Sequence, residues 1–232
     1  MQAIVAAAAV HVFTGLGIVC ALLAARASYA ADFEAAFFWL GVAFVIDGVD
    51  GMFARKARVK EVLPSFSGET LDLVIDYVTY VFLPALMLLQ AGYLSGWIGI
   101  VLASLICLSS LYHFSDEGSK ADDNCFVGFP AVWNIVAFYI FAFATTPWVT
   151  AAIILACVVL TFVPLKWVHP MRVVALRPLN LALSVVWGAA AIAAVYGHFP
   201  ASPLAQAVLL GVAVYAVALT LWFGRDRARS AL

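Results

Sequence analysis

Four aspartates, Asp47, Asp50, Asp72 and Asp76, are the residues of this chain whose type and spacing point most directly to chemistry. Spacings of three and four put the members of each pair on one face of a helix. Two neighbouring antiparallel helices joined by a loop then aim four carboxylates at one point. Carboxylates gathered in this way repel and raise one another's pKa values, so they need a compensating charge. Divalent cations supply it best, and hard oxygen ligands favour magnesium, manganese or calcium over zinc or copper. Two such ions bridged by carboxylates activate a nucleophile and stabilise a phosphoryl leaving group. The plainer alternative pairs the acids with Arg55, Lys56 or Arg58 and merely pins a loop.

The residues between the acids fit a phosphate ligand. Gly51 and Ala54 share the helix face of Asp47 and Asp50 and leave room for a ligand or a backbone to come close. Arg55 follows, and a planar guanidinium suits a pyrophosphate better than a lysine does. Gly68 lies one helical turn before Asp72 and likewise admits a ligand. Each glycine taken singly also reads as packing.

The elements that position these residues are membrane helices. Of 232 residues, 66% are hydrophobic and 11% charged, against about 25% charged in a soluble domain. A net charge of -1 argues against nucleic acid as a partner. No charged side chain occurs in residues 1–25, 77–115, 124–165 or 178–224, and a helix needs about 20 apolar residues to cross a bilayer. The first run holds one span and the others two each, with breaks at Gln90-Ala91-Gly92, Thr145-Thr146-Pro147 and Gly197-His198-Phe199-Pro200. The stretch from Glu34 to Asp50 adds another. These runs are too long, and too evenly apolar, for the strands of a membrane barrel.

The expected fold is therefore all-α: a polytopic membrane bundle of about eight helices, with residues 1–232 forming one domain. With the N-terminus inside, 11 of the 12 lysines and arginines fall in inner segments and only Arg26 falls outside, which puts both termini and the aspartates on the cytoplasmic side. The apolar run of the first span is too long for a signal peptide and no basic residue precedes it, so it reads as an anchor. Cys20, Cys107, Cys125 and Cys157 form no CxxC pair and read as apolar fillers. His11, inside the first span, reads as a helix–helix contact.

Read as one string, Asp47, Asp50-Gly51, Ala54-Arg55, twelve further residues, Gly68, Asp72 and Asp76 resemble the signature of the CDP-alcohol phosphotransferase family of integral membrane enzymes. The spacer is longer than most members carry and is similar to that of the bacterial branch that uses free choline. Residues 10–14, 76–82, 128–134 and 163–166, with His169, Arg172 and Arg177, also resemble that branch, as does the count of eight spans.

The resemblance implies a reaction. Asp47, Asp50 and Asp72 would bind divalent metal, two ions of Mn2+ or Mg2+, while Asp76 approaches the metal and acts as general base. Gly51, Ala54, Arg55 and Gly68 would cradle the cytidine and pyrophosphate of CDP-diacylglycerol. Choline would accept the phosphatidyl group and CMP would leave. The implied setting is the bacterial inner membrane, among membrane lipids, with the active site facing the cytoplasm and a homodimer as a common assembly.

Choline's quaternary ammonium donates no hydrogen bond, so aromatic faces should recognise it. Tyr80, one turn beyond Asp76 and roughly 6 Å deeper by helix rise, is the first candidate, followed by Trp133 and Tyr112. Lys166, Arg172 and Arg177 are candidates for contacts with nucleotide phosphate or lipid headgroups. Serine, inositol or glycerol phosphate as acceptor is the alternative within the same chemistry. A divalent-cation or proton-coupled transporter is the alternative from another class, although inverted repeats and paired broken helices are missing.

Overall fold

The computed structural model describes residues 1–116, 118, 126–167 and 176–230, almost all of them helical. Among these, six helices are long and apolar enough to cross a membrane, and the chain is a multi-pass membrane protein. The chain divides into two compact units, one of Met1–Gly92 with Trp133–Ala137 and the other of Tyr93–Val132 with Phe138–Leu232.

In the first unit, α1 (Gln2–Tyr29) buries a stripe of small residues that includes Ala7, Thr14, Gly17, Ala21 and Ala24. Small side chains let neighbouring backbones approach where no hydrophobic force drives helices together. α2 (Phe33–Lys56) starts where the Asp32 carboxylate accepts a hydrogen bond from the Ala35 amide at 3.0 Å, and it ends on Arg55 and Lys56. That order suits a helix dipole at both ends. A short turn, α3 (Val59–Val62), occupies the following loop.

The third span is one 23-residue run, Gly68–Gln90, built from α4 (Gly68–Asp76), a π-helical segment π1 (Tyr77–Phe82) and α5 (Leu83–Gln90). The Ser67 hydroxyl opens it by accepting from the Thr70 amide at 3.1 Å. α1 runs antiparallel to α2, with Thr14 against Asp50 and Cys20 packed with Ala43 and Ile46. It runs parallel to the third span, since His11 lies against Gly68 and Ser28 hydrogen-bonds Gln90. This is the alternation that successive membrane crossings require.

In the second unit, α6 (Gly96–Ser115) packs on α8 (Pro147–Thr161), and α9 (Arg177–Tyr196) packs on α10 (Pro203–Ser230). The strands β1 (Phe126–Val127) and β2 (Lys166–Trp167) pair antiparallel. After β1, Gly128 takes φ +80°, and a Cβ there would lie 2.3 Å from the Thr161 carbonyl oxygen. Only glycine fits this turn.

The helix breaks fall where the turn residues place them: α5 ends at Gln90, α8 starts at Pro147 and α9 ends at Tyr196. Residues 124–165 depart from two full spans. α7 (Trp133–Phe143) has 11 residues and α8 has 15, and at 1.5 Å per residue both fall short of a hydrocarbon core about 30 Å thick. Within the apolar run, Phe126–Val127 form β1 and residues 128–132 are a non-helical approach to Trp133, so its length overstates the helix it forms.

Candidate active site

α2 delivers Asp47 and Asp50, and α4 delivers Asp72. One carboxylate oxygen from each lies within 4.8 Å of the other two. Asp76, the last residue of α4, lines the same cleft beside Thr14 and Thr79. Spacing within each helix and the approach of two helices thus converge all four carboxylates.

Two hydroxyls hold this cluster from outside. Thr14 of α1 donates to Asp50 Oδ2 at 2.8 Å, and both residues are buried. Tyr80 donates its phenolic hydroxyl to Asp47 Oδ2 at 2.7 Å. Each bond ties one oxygen of its carboxylate to a neighbouring helix. A carboxylate oriented in this way by a neighbour is the usual support of a metal ligand.

Tyr80 lies within π1. On a continuous α-helix Tyr80 would follow the stripe of Asp72 and Asp76, but from Tyr77 to Phe82 the ladder has i to i+5 geometry and the register slips. Where the ladder changes, the Thr79 hydroxyl donates to the Ile75 carbonyl at 3.0 Å. Tyr80 faces α2, with its ring centroid 6.2 Å from that of Phe44.

Gly51 and Arg55 work together. A Cβ on Gly51 would lie 3.3 Å from Arg55 Nη1, so the exposed guanidinium folds back over the bare backbone on the stripe of Asp47. Ala54 is half-buried on the neighbouring stripe. The space beside Gly68 is taken by His11, whose Cε1 would lie 2.9 Å from a Cβ at that position.

The loop bases have partners of their own. Arg58 pairs with Glu61, a hydrogen bond that raises the guanidinium pKa further above its usual value, and Lys60 pairs with Glu69 at 2.5 Å.

The remaining candidates are more scattered. Trp133 opens α7 and is buried, with 1% of its surface exposed. Tyr112 belongs to the second unit, half exposed on α6 with its ring 5.0 Å from Phe162. Arg177 is the exposed first residue of α9. Lys166 contributes its backbone to β2, while its side chain and the whole of Arg172 lie outside the described residues. Sequence reasoning did not single out Thr14 or Thr79 individually. The available signal was a polar residue one turn from another on a membrane helix, Thr14 after His11 and Thr79 after Asp76.

A profile of the CDP-alcohol phosphatidyltransferase family matches residues 7–163, which include every residue of this cluster. The chain belongs to the CDP-alcohol phosphatidyltransferase family. Membership in a transferase family answers the transporter alternative. Among curated proteins the chain is similar to one of Mesorhizobium japonicum, at 44% identity over 86% of this chain and 71% of the relative. It is 42% identical to one of Rhizobium johnstonii over 92% of this chain and 89% of the relative. A third, from Rhizobium meliloti, is 42% identical over 91% and 89%. All three are named phosphatidylcholine synthase. A match over 92% of the chain runs well past residue 163 into the last two helices.

Proposed function

We propose that this protein transfers the phosphatidyl group of CDP-diacylglycerol to choline, giving phosphatidylcholine and CMP. The observation that carries the reading is the similarity to relatives named phosphatidylcholine synthase over nearly the whole chain, α9 and α10 included. The convergence of Asp47, Asp50 and Asp72 supports metal-assisted phosphoryl chemistry.

Three carboxylates with oxygens this close fit a hard divalent cation, Mn2+ or Mg2+. Asp47, Asp50 and Asp72 would hold it, with Asp76 beside them, and when bound it would neutralise charge gathering on the pyrophosphate. Arg55, folded over Gly51, holds the departing phosphate. Asp76 accepts the choline hydroxyl proton as that oxygen bonds to the lipid-side phosphorus and the bond from phosphorus to the CMP oxygen breaks. The Tyr80 ring offers an aromatic face to the quaternary ammonium. The active site faces the cytoplasm, as the distribution of basic residues suggests.

The test is an acceptor panel. Purified protein with CDP-diacylglycerol and Mn2+ receives choline, serine, inositol or glycerol phosphate in separate reactions. Release of CMP with choline alone is the expected result; release with another acceptor and not choline overturns the reading.

A further inference from the structure

Gly68 is a signature position whose bare backbone the sequence assigns to the nucleotide, yet here that space holds a side chain of this chain. A Cβ on Gly68 would lie 2.9 Å from His11 Cε1 and 3.5 Å from His11 Nδ1, about 0.5 Å inside ordinary contact at the nearer atom. The imidazole also packs on Phe66, with ring centroids 4.4 Å apart and a tilt of 49°. Its Nε2 is buried with no hydrogen-bond partner among the described residues, so shape and packing hold the ring.

We propose that His11 is a positioning residue: its imidazole fills the space left by Gly68 and fixes the start of α4, and with it the approach of Asp72 to Asp47 and Asp50. Gly68 is the first residue of α4, and Asp72 lies one turn on along the same face. One turn before Thr14 on α1, His11 stands at one end of the helix pair, and at the other Gly17 meets Ile75, where a Cβ would come within 2.8 Å. The two glycines thus set the α1 to α4 distance from both ends, and Thr14 between them reaches Asp50. A Cβ at Gly68 would overlap the imidazole by about 0.5 Å, and a shift of that size passed to the start of α4 exceeds the roughly 0.2 Å tolerance of metal–ligand distances.

The functional consequence rests on the metal site proposed above, but the coupling between His11 and Gly68 can be read without turnover. The experiment compares wild type, His11→Ala, Gly68→Ala and the double variant in detergent. It measures Mn2+ dissociation constants by electron paramagnetic resonance, along with thermal midpoints. Gly68→Ala alone should weaken Mn2+ binding by roughly tenfold or more, and adding His11→Ala should restore it to within about threefold of His11→Ala alone. Losses that multiply in the double variant overturn the proposal and leave Gly68 to the ligand. Should Gly68→Ala fail to fold alone, folded protein recovered by His11→Ala supports the proposal, and failure of both overturns it. Wild type that binds Mn2+ and shows the coupling, yet releases no CMP with choline, sinks the proposed reaction and spares the role of His11.

Discussion

Thr14→Val removes one hydroxyl from the site and nearly nothing else. Valine keeps the β-branched shape on α1, so the stripe of small residues facing α2 and α4 stays filled. What disappears is the 2.8 Å hydrogen bond to Asp50 Oδ2, between two residues each 8% exposed. A hydrogen bond to a charged group contributes about 1.5 to 3 kcal/mol, and about 1.4 kcal/mol corresponds to tenfold. The expected loss is therefore about 10- to 100-fold in Mn2+ affinity, the range typical when the support of a metal ligand is removed. The assay is Mn2+ titration of CMP release, in parallel with direct Mn2+ binding by electron paramagnetic resonance. Saturating Mn2+ should recover most of the turnover, because Asp50 itself remains. Affinity and turnover both within about threefold of wild type would refute the idea that Thr14 orients Asp50.

Three further outcomes follow from the same geometry. Tyr80→Phe keeps the ring and removes the bond to Asp47, so Mn2+ affinity should fall by about tenfold with the choline KM unchanged; a raised choline KM with normal Mn2+ affinity reverses that assignment. Gly128→Ala forces alanine to φ +80° and to 2.3 Å from a carbonyl oxygen, which costs about 2 kcal/mol or more and should lower the thermal midpoint in detergent; an unchanged midpoint contradicts the strained turn. Reporter fusions near Lys60 should read inside and those near Gly92 outside, and an inverted pair overturns the orientation proposed from the basic residues.

Much of the site was legible because charge is scarce in this chain. An aspartate inside an apolar run is costly enough to need a reason, so Asp47, Asp50, Asp72 and Asp76 stood out before any fold was known. Helix ends at Gln90, Pro147 and Tyr196 were legible through glycine, proline and paired threonines. What escaped was whatever depends on a register change or a contact between distant segments. Nothing in residues 77–82 marks them as π-helical, and nothing in the sequence announced that Tyr80 would hydrogen-bond Asp47, 33 positions earlier. Hydropathy reports that a stretch is apolar, not that it is helical, and so the run containing α7 and α8 promised longer spans than it forms. Gly68 advertised an empty space, and only the fold reveals that His11, from 57 positions earlier, fills it.

The measurement that bears most directly on the account is CMP release from CDP-diacylglycerol and choline, read beside Mn2+ binding in wild type, Asp50→Asn and Asp76→Asn. Chelator should abolish release by wild type and added Mn2+ should restore it, since the carboxylates of Asp47, Asp50 and Asp72 would hold the ion. Asp50→Asn should lose Mn2+ binding and release together, while Asp76→Asn should retain more of the binding and still lose turnover by orders of magnitude, because a missing base acts on the transition state. Full release in excess chelator, or near-normal turnover in either variant, would contradict metal-assisted transfer at this cluster.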